Sequence, residues 1–216
     1  MTYLIGLNGP PGAGKNALAD ELTHLFYRAH GVSPVAAALA APLRQIAGLL
    51  TGVDMTDDTK YALAKATVFE HLNGETGRQV MINITEQYLK PRYGNRVWVE
   101  AFIRKTREIQ WCRPENERVI IVTDVGFEYE RCAIENEFAR SAFVELARPG
   151  CSYVGDSRGT IAIGDNDPGV LQLFNPGRHR HQLTALAGRV HDYVLNRLLW
   201  DLPAAQVSLP NLDSGD

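Results

Sequence analysis

Apolar residues along this chain follow two patterns that predict a succession of strands and helices. Short apolar runs predict strands at residues 3–7, 35–38, 118–123, 142–146 and 170–174. Apolar residues at helical spacing predict helices at residues 15–30, 42–50, 59–69, 80–89, 97–109, 128–140 and 179–200. Residues 74–77 are a turn signal, and Lys90-Pro91 is expected to stop the helix before it.

The run from Val119 to Val122 gives the clearest strand signal. Its four residues are all apolar, which predicts a strand buried on both faces, as the strands of a parallel sheet are. Alternation of such strands with helices is typical of an α/β fold. We therefore predict a three-layer α/β/α architecture with about five parallel strands.

The length of 216 residues predicts one domain, at residues 1–202. Residues 148–169 are rich in Gly, Asp and Ser and lack a period, so this long connection is expected to be functional or mobile. Residues 203–216 contain Pro210 and an acidic end, and we expect them to form a flexible tail.

Composition narrows the function classes. A hydrophobic content of 45% excludes a disordered chain, and 22 basic against 25 acidic residues argues against a nucleic-acid partner. Every apolar run is far below the roughly 20 residues of a membrane span, and no signal-peptide pattern opens the chain. Cys112, Cys132 and Cys151 are widely spaced without a CxxC pair, which favours the reducing cytoplasm over a disulfide or zinc framework.

The segment Gly9-Pro-Pro-Gly-Ala-Gly-Lys15 fits the phosphate-loop pattern GxxxxGK, between a predicted strand and a predicted helix. Glycines allow the backbone to turn its N–H groups towards a phosphate, and the following helix adds the positive end of its dipole. We expect the nucleotide-binding residues to be Gly9, Gly12, Ala13, Gly14, Lys15, Asn16 and Ala17. The Lys15 ammonium is expected to reach the β- and γ-phosphates of ATP.

The two residues after Lys15 depart from this pattern, which has Ser or Thr next to the lysine as a magnesium ligand. Asn16 stands there and Ala17 follows, so neither offers a hydroxyl. Asn16 has two open roles, as an amide oxygen ligand or as the helix cap. Magnesium is then held mainly by phosphates and water, which it retains readily.

The rest of the chain separates the classes of nucleotide-binding protein. It lacks the Asn-Lys-x-Asp segment of the usual GTPases, and Thr123-Asp124-Val125-Gly126 offers one carboxylate where motor ATPases usually have an acidic pair. In a small-molecule kinase, Asp124 at the end of a buried strand would orient magnesium, directly or through water. The alternative for Asp124 is a helix-capping role.

Several segments, in order, resemble the bacteriophage-type deoxynucleoside monophosphate kinases, which are P-loop kinases related to dephospho-coenzyme A kinase. Residues 14–20 resemble the family's GKDTVAD, and residues 122–127 with Glu130 resemble its S-D-V-R-F-x-N-E, although Gly126 stands where that pattern has arginine. Weaker matches lie at residues 41–44, 77–80, 84–86, 91–98, 148–150 and 175–177. The resemblance spans about residues 3–200.

The resemblance implies a P-loop kinase fold with a lid at about residues 148–169, ATP and magnesium as cofactors, and phosphoryl transfer to a nucleoside monophosphate. It implies Lys15, Asp124, Arg148 and Arg158 as catalytic residues. It places Arg44, Arg78, Thr85, Glu86 and Trp98 around the acceptor. Their chemistry agrees, because arginine matches phosphate oxygens in pairs and tryptophan can stack on a base.

Several alternatives stay open at this point. Arg44 and Arg78 could be ordinary ion-pairing arginines, Glu86 a solvated helix residue and Trp98 a core residue. The run Arg178–His181 is expected to be a solvated helix start, with nucleotide contact as a minor alternative. The function alternatives are a P-loop kinase for another small acceptor such as dephospho-coenzyme A, and a weakly catalytic regulatory module. A homodimer is left open, and a phage-encoded protein would act in the host cytoplasm.

Overall fold

The computed structural model describes residues 2–111, 119–163, 167–177 and 180–198. Its strands are β1 (Tyr3–Asn8), β2 (Val35–Ala37), β3 (Val68–Phe69), β4 (Glu75–Thr76), β5 (Val119–Val122), β6 (Ser141–Ala147) and β7 (Val170–Phe174). Its α-helices are α1 (Lys15–His30), α2 (Ala41–Thr51), α3 (Asp58–Ala64), α4 (Gly77–Asn83), α5 (Lys90–Tyr93), α6 (Val97–Trp111), α7 (Glu128–Glu137) and α8 (Arg180–Leu198). A 3₁₀ turn spans Glu70–Leu72, and a π-helical segment spans Ile84–Leu89.

Five parallel strands form the central sheet in the order β2-β5-β1-β6-β7, which confirms the predicted α/β/α fold class. The central position of β1 and β5 explains their composition, because both carry apolar residues on both faces. Their register pairs Tyr3 with Val119 and Gly6 with Val122.

The parallel strands all end at one edge of the sheet. The residues at or just after these ends are Asn8, Asp124, Arg148 and Asn175. Ligands bind at this carboxyl edge in open α/β sheets. The topology therefore gathers most of the chemistry that the sequence points to.

Three hydrophobic clusters hold the layers together. One packs α1 and α8 on one face of the sheet around Phe26, and a second packs α6 and α7 on the other face around Phe143. A third lies away from the sheet, among α2, α3, the β3–β4 hairpin and α4, and contains Met55 and Trp98. We call this outlying part, residues 41–98, the helical wall.

The predicted helix at residues 59–69 is wrong in its second half. Helix α3 ends at Ala64, and Val68–Phe69 pairs with Glu75–Thr76 as an antiparallel hairpin. Val68 and Phe69 are residue types that favour strands over helices. The turn itself lies at Asn73 and Gly74, which both have positive φ, and Gly77 already begins α4 behind a capping box at Thr76.

The predicted helix stop at Lys90-Pro91 is also wrong. The chain stays helical to Tyr93, because Pro91 falls in the first turn of α5, where a missing N–H costs little. The π-helical segment directly before it shifts the hydrogen bonding by one residue, and the Lys90 N–H donates to the Thr85 carbonyl. Such π segments are frequent at functional sites.

The remaining elements match their predictions with shifts at their ends. Helix α7 ends at Glu137, three residues early, because Phe138 is in an extended conformation. Helix α6 continues to Trp111, two residues past its prediction. Arg118, His179, Trp200 and the predicted tail lie outside the described residues, as do Cys112 and Arg178.

The connection after β6 is tied down along its described part. The buried Asn8 amide donates to the Val125 and Gly159 carbonyls at 2.8 and 3.0 Å, and accepts a 2.6 Å hydrogen bond from the Tyr153 hydroxyl. Ile161 is fully buried, and Arg131 of α7 binds both its carbonyl and the Asp167 carboxylate. Tyr153, Gly159, Ile161 and Asp167 therefore anchor this segment, while residues such as Val154 and Ile163 stay exposed.

None of the described helices is long and apolar enough to cross a bilayer.

Replacing Gly6 and Gly188 by alanine is expected to change the free energy of unfolding in opposite directions. A Cβ at Gly6 would lie 2.5 Å from the Phe143 ring, whereas one at Gly188 of α8 meets nothing within 4 Å. We expect Gly6→Ala to lower the free energy of unfolding by about 1–3 kcal/mol through overpacking. Gly188→Ala should raise it by about 1 kcal/mol through helix propensity. Denaturant titration measures both, and equal shifts of one sign would contradict the packing described.

Candidate functional site

The loop between β1 and α1 takes a path that glycine makes accessible. Gly9 and Gly14 have φ angles of 147° and 100°, in the region that disfavours side chains. A Cβ on Gly9 would also collide with the Leu146 carbonyl oxygen, and one on Gly14 would lie 2.8 Å from the Asn175 amide. This loop has the expected place of a phosphate loop, directly before the N-terminus of a 16-residue helix.

Two residues that directly follow the neighbouring strands β6 and β7 hold the phosphate loop through hydrogen bonds. The buried Asn175 amide donates to the Ala13 carbonyl at 2.8 Å. The Arg148 guanidinium donates to the Gly12 carbonyl at 3.0 Å and to the Gly177 carbonyl at 3.3 Å. Arg148 thus bridges the loop and the turn after β7, and its predicted action on a transferring phosphoryl group stays a prediction.

The Lys15 ammonium is folded back over the loop. It donates to the Gly9 carbonyl at 2.5 Å and the Pro10 carbonyl at 3.0 Å. Burial, together with the Arg158 charge, lowers the pKa of this ammonium to about 8, although Asp124 opposes the shift. A phosphate placed here would replace the two carbonyls as the partner of the ammonium and would favour its charged form.

A cleft of about 360 Å³ opens beside the loop, between the sheet edge and the helical wall. Nine of the predicted site residues line it: Lys15, Asn16, Arg44, Arg78, Thr85, Glu86, Trp98, Asp124 and Arg158. They come from seven separate elements and connections of the chain. The glycines of the loop, Ala13, Ala17 and Arg148 do not line this cleft.

The Asp124 carboxylate links the end of β5 to the turn before α2. Its two oxygens accept the Leu39 N–H at 2.7 Å and the Ala40 N–H at 3.1 Å. Both N–H groups precede the first residue of α2, so Asp124 holds a turn and is not the helix cap of its alternative interpretation, and the carboxylate also lines the cleft. Each oxygen retains a second lone pair, so Asp124 also fits a magnesium ion held by phosphates and water.

Asn16 is not the helix cap. Helix α1 begins at Lys15 behind Gly14, and no side chain caps it. The Asn16 side chain is exposed at the cleft, so its amide oxygen is available to a metal or a phosphate-bound water. Among the described residues no group of three or more His, Cys, Asp or Glu is placed to hold a metal on its own.

Two predicted acceptor arginines face the cleft from the helical wall. Arg44 pairs with Asp58 at 2.9 Å and stacks over the Tyr61 ring at 3.9 Å, and its buried Nε has no partner among the residues that the structure describes. Arg78 lies 3.6 Å from the Asp156 carboxylate and is half-exposed. The ion-pair alternative therefore describes Arg44 in part, while Arg78 is more open to a ligand.

The other three predicted acceptor residues differ in burial. Thr85 and Trp98 are each 8% exposed, and within the described part of the chain the Thr85 hydroxyl and the Trp98 indole N–H have no hydrogen-bond partner. Trp98 belongs to the core of the helical wall, as its alternative interpretation held. Glu86 pairs with Lys90 at 2.6 Å, one turn along the π-helical segment.

Arg158 reaches the cleft from the segment after β6. Its guanidinium makes two bonds to Asp156, at 3.0 and 2.6 Å. Burial alone would raise the pKa of Asp156, but the bonds from Arg158 hold it at about 2. Arg78 approaches the same carboxylate, so one buried anion holds two cations at the cleft.

The sequence reasoning missed two residues of this site. Glu130 lines the cleft and accepts the Gly126 and Phe127 N–H groups at 2.8 and 3.2 Å, and burial raises the pKa of its carboxyl to about 7. The Asn8 amide fixes the turn after β5 and the segment after β6 relative to β1 through its hydrogen bonds. A polar residue closing an apolar strand was the signal for Asn8. Glu130 gave no complete capping-box signal, because Phe127 has no side-chain acceptor.

No protein-family model and no curated protein matches this sequence. Solved structures that resemble the chain include the APS kinase of Mycobacterium tuberculosis in complex with AMPPNP and APS, with 14% identity, coverage of 89% of this chain and 97% of that one, and a TM-score of 0.49. A Janibacter sugar kinase gives 12% identity, coverages of 89% and 96%, and a TM-score of 0.47. The shikimate kinase of Acinetobacter baumannii gives 15% identity, coverage of 93% of this chain and 97% of that one, and a TM-score of 0.41.

The depressed pKa of Lys15 predicts how phosphate binding depends on pH. Below about pH 8 the free protein carries the ammonium charge, and above it the charge is lost, whereas a bound polyphosphate keeps it. We expect the Kd of inorganic tripolyphosphate to weaken roughly tenfold between pH 7 and pH 9, with proton uptake on binding at pH 9. Calorimetry in two buffers of different ionisation enthalpy measures this.

Lys15→Met is the control for that experiment. It lacks the titrating ammonium, so its weaker binding should be nearly independent of pH over the same range. A wild-type Kd that stays constant from pH 7 to pH 9 would contradict the assignment.

Proposed function

We propose that this protein transfers the γ-phosphoryl group of ATP to a (deoxy)nucleoside monophosphate, with magnesium, and releases ADP and the diphosphate. One observation carries the proposal. The cleft places the phosphate-loop lysine together with Asp124 and three arginines from separate segments. Lysine on a glycine loop suits a donor triphosphate, and additional arginines suit a second phosphate group.

On the donor side, residues 9–15 would hold the triphosphate. The loop is fixed by Asn175 and Arg148, so its conformation exists before the nucleotide binds. Magnesium would be coordinated by phosphate oxygens and water, with Asp124 and the Asn16 amide beside it. When bound, magnesium neutralises charge on the phosphates.

On the acceptor side, Arg78 and Arg158 would bind the monophosphate. The cleft wall also contains four aromatic residues, Tyr61, Trp98, Phe127 and Tyr129. Such walls suit a nucleobase, which presents two apolar faces and a polar edge. Thr85, Glu86 and Glu130 supply polar groups for that edge or for the sugar.

The reaction needs little proton transfer. An acceptor phosphate oxygen is already anionic at neutral pH, so it attacks the γ-phosphorus while the bond to the β-phosphate oxygen breaks and ADP leaves. Charge develops on the three equatorial oxygens of the transferring group. Lys15 and Arg158 would stabilise that charge, and positioning supplies most of the remaining catalysis.

The test is ADP release with ATP and magnesium across ribo- and deoxynucleoside monophosphates and dephospho-coenzyme A. We expect release that depends on one or a few monophosphates. Lys15→Ala should reduce it by roughly 100-fold or more while the fold survives. Release with dephospho-coenzyme A alone would favour a different acceptor class, and ATP binding without release would favour a regulatory module.

Arg78 provides a separate test of the acceptor site. Arg78→Ala should raise the KM for the monophosphate roughly tenfold or more, because it removes a guanidinium from one of the two phosphate sites. The KM for ATP should change little. Arg96→Ala is the matched control, since Arg96 is exposed and pairs only with Glu100 at 3.7 Å among the ion pairs described. An unchanged acceptor KM in Arg78→Ala would contradict this placement.

A further inference from the structure

Gly126 lies directly against the Arg158 side chain. A Cβ built on Gly126 would lie 2.5 Å from Cγ of Arg158, closer still to its Cδ, and 3.1 Å from its Cβ. Real Cβ atoms do not approach that closely, so any side chain at position 126 must displace something. The three nearest atoms that this Cβ would meet all belong to Arg158.

The backbone at Gly126 cannot move aside easily. Its N–H donates to Glu130 at 2.8 Å, and its carbonyl accepts the Gly159 N–H at 3.1 Å. Gly126 is also buried. A methyl group here would therefore push away the flexible arginine stem rather than the main chain.

The conformation of Gly126 does not itself require glycine. Its φ lies outside the positive region that disfavours side chains, unlike the loop glycines. The requirement for a missing Cβ at this position comes from the space that Arg158 occupies.

The Arg158 side chain lies among the charged groups of the cleft. Asp156 fixes the guanidinium with two bonds, and the Arg158 charge acts on both Lys15 and Asp124. Arg78 shares Asp156 as a partner. Arg158 is thus held between the phosphate loop and the acceptor arginine.

We propose that Gly126 is a positioning residue that leaves open the space through which Arg158 enters the cleft, with Asp156 directing the guanidinium between the two phosphate sites. This inference rests on the proposed function for its catalytic consequence. It explains why a glycine stands at the end of β5, where the resembled pattern has an arginine: the guanidinium at this place comes from the segment after β6.

The test compares Gly126→Ala with Gly159→Ala. Gly159 lies beside Arg158 in sequence, but a Cβ there meets nothing within 4 Å and its φ is ordinary. We expect Gly126→Ala to lower kcat roughly tenfold or more while the protein stays folded, because the side chain it displaces is a flexible arginine. Gly159→Ala should keep wild-type kcat and KM values.

A double-mutant cycle then shows whether residue 126 acts through Arg158. In an Arg158→Ala background, adding Gly126→Ala should change kcat by less than about twofold, because the side chain that it displaces is already gone. If the two effects multiply instead, or if Gly126→Ala alone behaves as the wild type, the inference is overturned.

A binding measurement separates this inference from the proposed function. The Kd of inorganic tripolyphosphate needs no turnover, and we expect it to weaken severalfold in Gly126→Ala and to stay unchanged in Gly159→Ala. If the wild type transfers phosphate to no acceptor, the proposed function fails while this pair of Kd values still supports the positioning role. Equal Kd values in both variants would overturn it.

Discussion

The buried amide of Asn8 is the interaction on which the site depends. It closes β1, is 1% exposed, and joins the turn after β5 to the segment that carries Tyr153 and Gly159. These partners lie more than a hundred residues away along the chain. Because an unpaired buried polar group costs about 1–3 kcal/mol, the loops that satisfy Asn8 are held in register. The phosphate loop starts at the next residue, so its origin is fixed against the segment that supplies Arg158.

Charge is balanced locally around the cleft. Lys15, Arg78 and Arg158 would repel one another if they were alone in a half-buried space. Asp156 offsets the two arginines, and Asp124 offsets part of the Lys15 charge. Burial disfavours the charged forms of both Lys15 and Glu130: it lowers the pKa of the Lys15 ammonium and raises the pKa of the Glu130 carboxyl. A polyanion entering the cleft relieves the first of these directly, since it replaces backbone carbonyls by full negative charge.

The sequence predicted the parts of the fold that follow from short-range patterns. The strand Val119–Val122 was predictable because a strand buried on both faces is a continuous apolar run. The helix after Lys15 was predictable because its buried residues recur at helical spacing. The β3–β4 hairpin was missed because its strands are two residues long and depend on Asn73 adopting positive φ. The pairing of Arg158 with Gly126 was not predictable, since it joins positions 32 residues apart through side-chain volume. Residues that line the cleft could be proposed from motifs, but their partners could not.

Helix α6 lies on the boundary between two cores. Trp98 packs into the cluster of the helical wall, while its neighbour Val99 packs into a cluster on the sheet. A layer with its own apolar contacts can loosen without exposing those beneath the sheet, and such local opening has a free energy below that of global unfolding. Different contacts therefore determine the thermal stability of the whole protein and the opening of the cleft to a ligand. Evolution could adjust either one by substitutions on a single side of α6.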